Sequence, residues 1–470
     1  MCSDTTDLTG RRKVKCTAKC SDKFTAKGKN TCVKASRRHR TKSLLISKTS
    51  LFLSECLPDF HIPIGPAALP VLPTLDAVEA LNDPLDIDNI QADILAGMLK
   101  KKELFFFFSI QDAARFKAKL VSDIVPLVTS TSEILSVDTQ PITAVNIAFS
   151  NTGLVALSLD TNALGDSDFV AGQFSDAGQI GDDPSLWNPA FTGTNIHGVF
   201  LLASDTLVNI HDQLAKIQSA LGSSVTEIHR LQAGARPGPE EGHEHFGFMD
   251  GISQPAVEGF TKLVLPGQTL GVFLLGERGD PFQNSHPSWA VDGSFLVFRQ
   301  LQQLVPEFNK FLTDHPLGAG KLTPEQGSEL LGARMVGRWK SGAPIFLAPT
   351  ADDPVLGADR TRNNDFNFFI KFNQTRCPFS AHIRKTRPRG DLGPSEDTKN
   401  FIIRSSIPYG EEVTPAEADS HTTSVDRGLA FGKFSFFSYQ TNINNGFVFL
   451  QQSWINNERS VLSLVPAQSS

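Results

Sequence analysis

The spacing of apolar residues changes several times along the chain, and each change predicts an element. Residues 103–110, ELFFFFSI, form an almost unbroken apolar run, the pattern of a strand buried on both faces. The next stretch, DAARFKAKLVSDIVPLV, returns apolar residues every three or four positions and predicts an amphipathic helix. AVNIAFSNTGLVAL reads as strand, turn and helix, IHGVFLLAS as a strand, and DTLVNIHDQLAKIQSAL as another helix. Ahead of them, DPLDIDNIQADILAGM joins an acidic start to helical apolar spacing, a short first helix. Such strand and helix alternation predicts an α+β fold with helices packed against a sheet.

Beyond Gly234 the pattern gives way to loops rich in glycine and proline: AGARPGPEEG, LPGQTLGV and ERGDP. A second group of elements follows, GSFLVFRQLQQLVPEFNKFL and a helix at TPEQGSELLGARMVG. Late strands are expected at KNFIIRSSI, RGLAFGKFSFFSYQ and NGFVFLQQSW. The expected organisation is a leader and linker over residues 1–80, one domain over 81–245 and a second over 246–470. Four prolines in PIGPAALPVLP, residues 63–73, mark the linker, because they block regular helix and sheet.

Charge sharpens this division. Residues 1–50 hold 14 Lys/Arg against 3 Asp/Glu, a net +11, and the other 420 residues hold 30 against 47, a net −17. An acidic body argues against nucleic acid as a partner, since phosphates demand a basic face. The basic leader reads as disordered. Its Cys16, Cys20 and Cys32 spacing is short of a zinc site, because no suitably placed histidine completes four ligands. Cys377 is alone in the body, which excludes a disulfide framework there. No run of eighteen apolar residues predicts a membrane-spanning helix, and the leader's basic stretch is too long for a secretory signal.

Three segments carry candidate chemistry. In EGHEHFGFMDGISQP, His243 and His245 share one face of a strand and could hold a metal with a third ligand, or serve as hydrogen-bonded loop residues. Asp250 lies between glycines in the pattern GxxDG, as a turn cap or as a carboxylate to which a flat ligand can come close. In CPFSAHIRKTRPR, His382 sits among apolar residues just before Arg384, Lys385, Arg387 and Arg389. An imidazole beside cations suits an anionic, metal-bearing cofactor; a core histidine beside a solvated face is the plainer alternative. In FIIRSSIPYG, Arg404 follows three apolar residues on an expected strand, and an inward arginine needs an anionic partner. The 35 Phe against 2 Tyr and 4 Trp suit an apolar interior or the walls of a pocket for a flat ligand.

Taken together, GFMDGISQP, RMVGRWKSGAPI, NNDFNF, CPFSAHIRKTRPR, IIRSSIPYG and RGLAF…YQTNINNGFVFLQQSW resemble the dye-decolourising peroxidases, and their fungal branch most closely. Order and spacing agree from residue 82 to residue 454. The resemblance implies two ferredoxin-like domains with antiparallel sheets packed against helices, of the dimeric α+β barrel type, holding one haem b per chain. It implies His382 as the proximal iron ligand, Asp250 as the distal acid–base residue and Arg404 as the distal arginine. Leu429 and Phe431 fall on distal-pocket positions, with Gly251, Ile252 and Arg384 beside the cofactor. Tyr409 and Trp454 match aromatic positions that serve relatives as surface oxidation sites for bulky donors. Hydrogen peroxide and organic donors such as dyes and phenolics are the implied partners, in a monomer or homodimer, and the location extracellular. A free aspartate titrates near 3.9, so an acidic working range is expected. Three departures from the family pattern stand out: a basic, cysteine-bearing leader in place of the usual secretory signal, extra residues near 432–437, and an early end after QQSW. A haem-binding or haem-transfer protein without turnover is the alternative.

Overall fold

The computed structural model describes residues 2–6, 12–16, 72–81, 84–136, 140–261, 272–318, 322–368, 374–392, 400–430 and 437–457, the first two stretches in backbone only. The chain divides into two units, Met1–Ile62 and Pro63–Ser470. In the first, β1 (Cys2–Thr6) and β2 (Arg12–Cys16) pair antiparallel, with Cys2 opposite Cys16. Cys20 and Cys32 lie outside the described residues.

The second unit is built on a seven-stranded antiparallel sheet. Its strands are β3 (Lys102–Ile110), β4 (Thr143–Phe149), β5 (Gly198–Ser204), β6 (Val225–Gly234), β8 (Gln300–Gln302), β10 (Ile407–Tyr409) and β11 (Gly428–Ala430), in the order β4-β5-β3-β6-β10-β11-β8. Strands from both sides of residue 245 thus continue one sheet. A second sheet, β7-β12-β9, joins β7 (Phe295–Val297), β12 (Phe437–Gln440) and β9 (Ile403–Ser405).

β3 explains its own sequence. Leu104, Phe106 and Phe108 pack with Ile210, Leu214, Ile217 and Leu221 of the helix Leu207–Leu221 and with Phe116. Phe105 and Phe107 face the other way, into a core shared with Tyr409, Ala430 and Tyr439. Both faces are dry, so the strand needs no polar alternation. Each such Phe contributes roughly 1.5–3 kcal/mol by leaving water. The helix starts where Thr206 accepts from Asn209 N and stops at Gly222, whose φ of +54° suits glycine.

GSFLVFRQLQQ holds two strands, because the chain leaves the small sheet after β7 and enters the large one at β8. β9 and β10 make the same crossing around Ser406. The strand expected at NGFVFLQQSW is instead two wide helical turns, Asn444–Val448 and Leu450–Ile455. Asn442 Oδ1 accepts from Asn445 N and Gln440 Oε1 from Phe447 N, starting the helical turns, and Phe447, Leu450 and Trp454 share a buried face at helical spacing.

Candidate active site

The loop from Gly242 to Gly251 presents Asp250. His243 bridges Met249, Asp250 N donates to Gly242 O at 3.0 Å, and Met249 N donates to Lys340 O at 2.9 Å. Gly247, at φ +91°, and Gly251, at φ +70°, take turns that residues with side chains rarely adopt. Asp250 Oδ1 accepts from Gly251 N at 2.8 Å. Burial pushes the Asp250 carboxyl well above the usual range; the bond from Gly251 opposes this, the charge of Glu244 adds to it, and Arg404 and Arg338 oppose it.

Arg404, on β9, is pinned to the same segment. Its Nη2 donates to Ser253 O at 2.7 Å and its backbone N to Gln254 Oε1 at 3.1 Å, while Gln254 Nε2 donates to Arg404 O. Burial pulls the guanidinium's proton affinity down, and the charge of Asp250 works against that.

His382 opens the short helix His382–Thr386, seated where Gly337 ends the helix Pro324–Val336. A Cβ on Gly337 would lie 2.3 Å from Ile383 Cγ1, so glycine is what lets the two helices meet. The imidazole of His382 is exposed, yet burial, helped by the charge of Arg404, takes its pKa down to about 4. Asp250 is half-buried and strongly desolvated as well, and the charge of Arg404 acts on both groups, which places the three side chains near one another. The residues fit haem on that ground: an imidazole kept neutral, with a carboxyl and a guanidinium close enough to act on each other electrostatically.

The other expected positions fall out unevenly. Ile252 is buried against the Gly342 turn, and Leu429 is buried on β11 opposite Pro408 and Leu301. Phe431 and residues 432–436 lie outside the described residues. Arg384 is not turned to a cofactor. It is 1% exposed, grips Asp391 through Nε at 2.7 Å and Nη2 at 3.0 Å, and stacks over Phe379. Tyr409 and Trp454, matched to surface positions, are 4% and 7% exposed, so neither ring lies on the outer surface, although Tyr409 lines a cleft. Tyr409 Oη donates to Asp426 at 2.9 Å. His245 Nε2 bonds Tyr409 O at 2.8 Å, and among the described residues no cluster of three His, Cys, Asp or Glu gathers around it or His243. A cleft of about 1820 Å³ lined by Phe107, Phe191, Phe298 and Tyr439 lies apart from Asp250, His382 and Arg404.

Sequence reasoning gave no role to Arg338, although it lies in RMVGRWKSGAPI. It is buried, donates to Gly342 O, Asn363 O and Asn364 Oδ1, and has its pKa pulled to about 9 by burial and by Arg404. Nothing in the local spelling separates it from a surface arginine.

Residues 89–237 match the family described as DyP dimeric alpha+beta barrel domain. The chain is 69% identical over 415 residues to a dye-decolorizing peroxidase of Mycena epipterygia, covering 86% of this chain and 78% of that one. It is 53% identical over 416 residues to dye-decolorizing peroxidase AauDyP1 of Auricularia auricula-judae, covering 85% and 79%. The crystal structure of AauDyP complexed with imidazole superimposes with a TM-score of 0.75 at 55% identity, over 79% of this chain and 84% of that one.

The chain belongs to the dye-decolourising peroxidase family. It is an enzyme of that kind, a peroxidase of a haem-dependent family on an α+β fold of antiparallel sheets and helices. No helix among the described residues is long and apolar enough to cross a membrane.

Proposed function

We propose that this dye-decolourising peroxidase uses hydrogen peroxide to oxidise dyes, phenolics and other bulky organic donors, with Asp250 as its acid–base group and Arg404 as a fixed positive charge above a haem b held by His382. The observation that supports the reading is the mutual electrostatic influence of a desolvated carboxyl, a guanidinium pinned to Ser253 O and an imidazole kept neutral. Haem, when bound there, supplies the iron at which the O–O bond of peroxide is split. Asp250 takes the proton from one peroxide oxygen and returns it to the departing one. Its desolvation matters in both steps, because a carboxyl that releases its proton too readily is a poor acid. Arg404 meets the negative charge that develops on the leaving oxygen, and its bond to Ser253 O fixes the guanidinium beforehand. His382 stays neutral far below pH 7 and keeps its lone pair for iron. Leu429 and Ile252, both buried, would serve as apolar walls that exclude water. An extracellular location is part of the same proposal, by family analogy.

A haem carrier would need His382 but neither Asp250 nor Arg404. Rapid mixing with peroxide separates the two: Asp250→Asn should slow the reaction with peroxide by about a hundredfold or more while the resting haem spectrum stays unchanged. An unaltered rate removes Asp250 from the mechanism.

A further inference from the structure

Glu244 lies between the two histidines that make its segment conspicuous, 9% exposed and without a role in the reaction proposed above. Its carboxyl oxygens meet donors only. Oε2 accepts from Phe246 N and Oε1 from Phe248 N, each at 2.8 Å, and Gln303 Nε2 closes on Oε2. Three donors suit an ionised carboxylate. The backbone of the same residue is fixed too: Glu244 N donates to Phe248 O at 3.1 Å, and Glu244 O accepts from Gly247 N at 2.8 Å and from Arg236 Nη1 at 2.7 Å. The turn that delivers Asp250 is therefore wrapped around this side chain.

We propose that Glu244 is the positioning residue of Asp250, closing the loop that carries it and standing near it as a fixed negative charge. The proposal rests on the reading of Asp250 as the proton carrier. Two neighbouring carboxylates disfavour a second ionisation, so a charge on Glu244 helps Asp250 to keep its proton. Burial is the larger influence on Asp250, and Arg404 and Arg338 act in the opposite direction. Glu244 is itself raised by burial, opposed first by the bonds from Phe248 N, Gln303 and Phe246 N and then by the charge of Arg236. That arginine is largely spent elsewhere, since it grips Glu412 at 2.9 and 2.6 Å and reaches Glu240 at 3.1 Å. His245, next along the loop, is kept from charging by burial and turns its Nε2 to Tyr409 O. The negative charge of Glu244 is thus only partly neutralised.

Infrared titration of the haem-loaded enzyme tests this. The protonated-carboxyl band that disappears in Asp250→Asn identifies Asp250, and its midpoint is followed in each variant. Glu244→Gln keeps the size of the side chain and removes its charge; the proton affinity of Asp250 should fall about three- to tenfold. Glu244→Asp keeps the charge but is one methylene too short to hold both amides. Its midpoint should stay within about twofold of wild type, while amide exchange at Phe246 and Phe248 quickens. An unmoved midpoint in Glu244→Gln overturns the proposal, and so does a Glu244→Asp midpoint that falls as far as the Gln one is expected to. If Glu244→Gln does not fold, Glu244→Asp decides through amide exchange: exchange at Phe246 and Phe248 as slow as in wild type overturns the proposal. Should Asp250→Asn react with peroxide at the wild-type rate, the proton-carrier reading fails, while the coupling of Glu244 to Asp250 is still measured.

Discussion

His382 and Asp250 both feel the charge of Arg404 and answer to pH with opposite signs. The folded-state pKa of His382 is depressed to about 4 from an ordinary 6.5, so its neutral form is what the fold favours. The stability tied to it is complete above about pH 6.5 and is lost as pH falls toward 4. Asp250 is raised, so the fold favours its protonated form. That contribution is complete below the ordinary aspartate value of about 3.9 and is lost as pH climbs through the raised one. Asp250→Asn should therefore unfold at higher denaturant than wild type at pH 7, by on the order of 1 kcal/mol, with the gain vanishing near pH 4. Urea titrations at the two pH values check this; a variant equally destabilised at both would show that the carboxyl is not strained in its ionised form. Removing the ligand has its own signature: His382→Ala should lose the Soret band of the haem-loaded protein, whereas changing His243 should leave it in place.

At the scale of elements, the sequence was legible where one pattern decided the outcome. β3 declared itself because both faces are buried, and DTLVNIHDQLAKIQSAL showed helical spacing along the length the helix takes. β6 was missed because its alternation is broken: the register against β3 shifts between Phe107 and Phe108, and VTEIHRLQAG never shows a clean period of two. NGFVFLQQSW misled because its Phe and Val suit strands, while the deciding bonds come from Asn442 and Gln440 ahead of it. Within the site, the GxxDG turn, the imidazole and Arg404 could be picked out as residues, but their convergence depends on the chain crossing between sheets around Ser406. Arg384 shows the limit most clearly. Its place beside His382 suggested an anion of the cofactor, and only the fold brings Asp391 and Phe379 to it. Truncation there strands a buried carboxylate, so Arg384→Ala should cost about 3–5 kcal/mol, and Arg384→Lys should recover only part, lacking the two-pronged grip on Asp391. Denaturant unfolding measures it; a loss under about 1 kcal/mol would mean that solvent already reaches Asp391.

At the scale of the whole molecule, charge is the property that the sheets and helices do not explain. Residues 1–62 carry 14 Lys/Arg and 5 Asp/Glu, a net +9, and residues 63–470 carry 30 and 45, a net −15. The unit that holds Asp250, His382 and Arg404 is thus strongly acidic overall, while Asp250 itself has a cationic arginine near it. Long-range attraction acts on the encounter of a donor with the protein, not on the steps inside, so it should appear in kcat/KM at low salt and fade once the Debye length falls below about 10 Å. Cationic dyes should then be oxidised several-fold more efficiently than anionic dyes of matched potential near neutral pH, and the difference should shrink above about 0.1 M salt. Acid weakens the same field by protonating surface carboxylates, so the preference should also narrow as pH approaches about 4. Because Pro63–Ser470 forms a unit of its own, the chain begun at Pro63 should keep its haem spectrum and its reaction with peroxide. Freed of the +9 segment, it should favour cationic donors more strongly than the full chain does. Steady-state kinetics of both chains with a matched dye pair over a salt series decides the matter: equal preference in the two chains, or a preference indifferent to salt, would mean that donors are selected by contact at the protein surface rather than by its field.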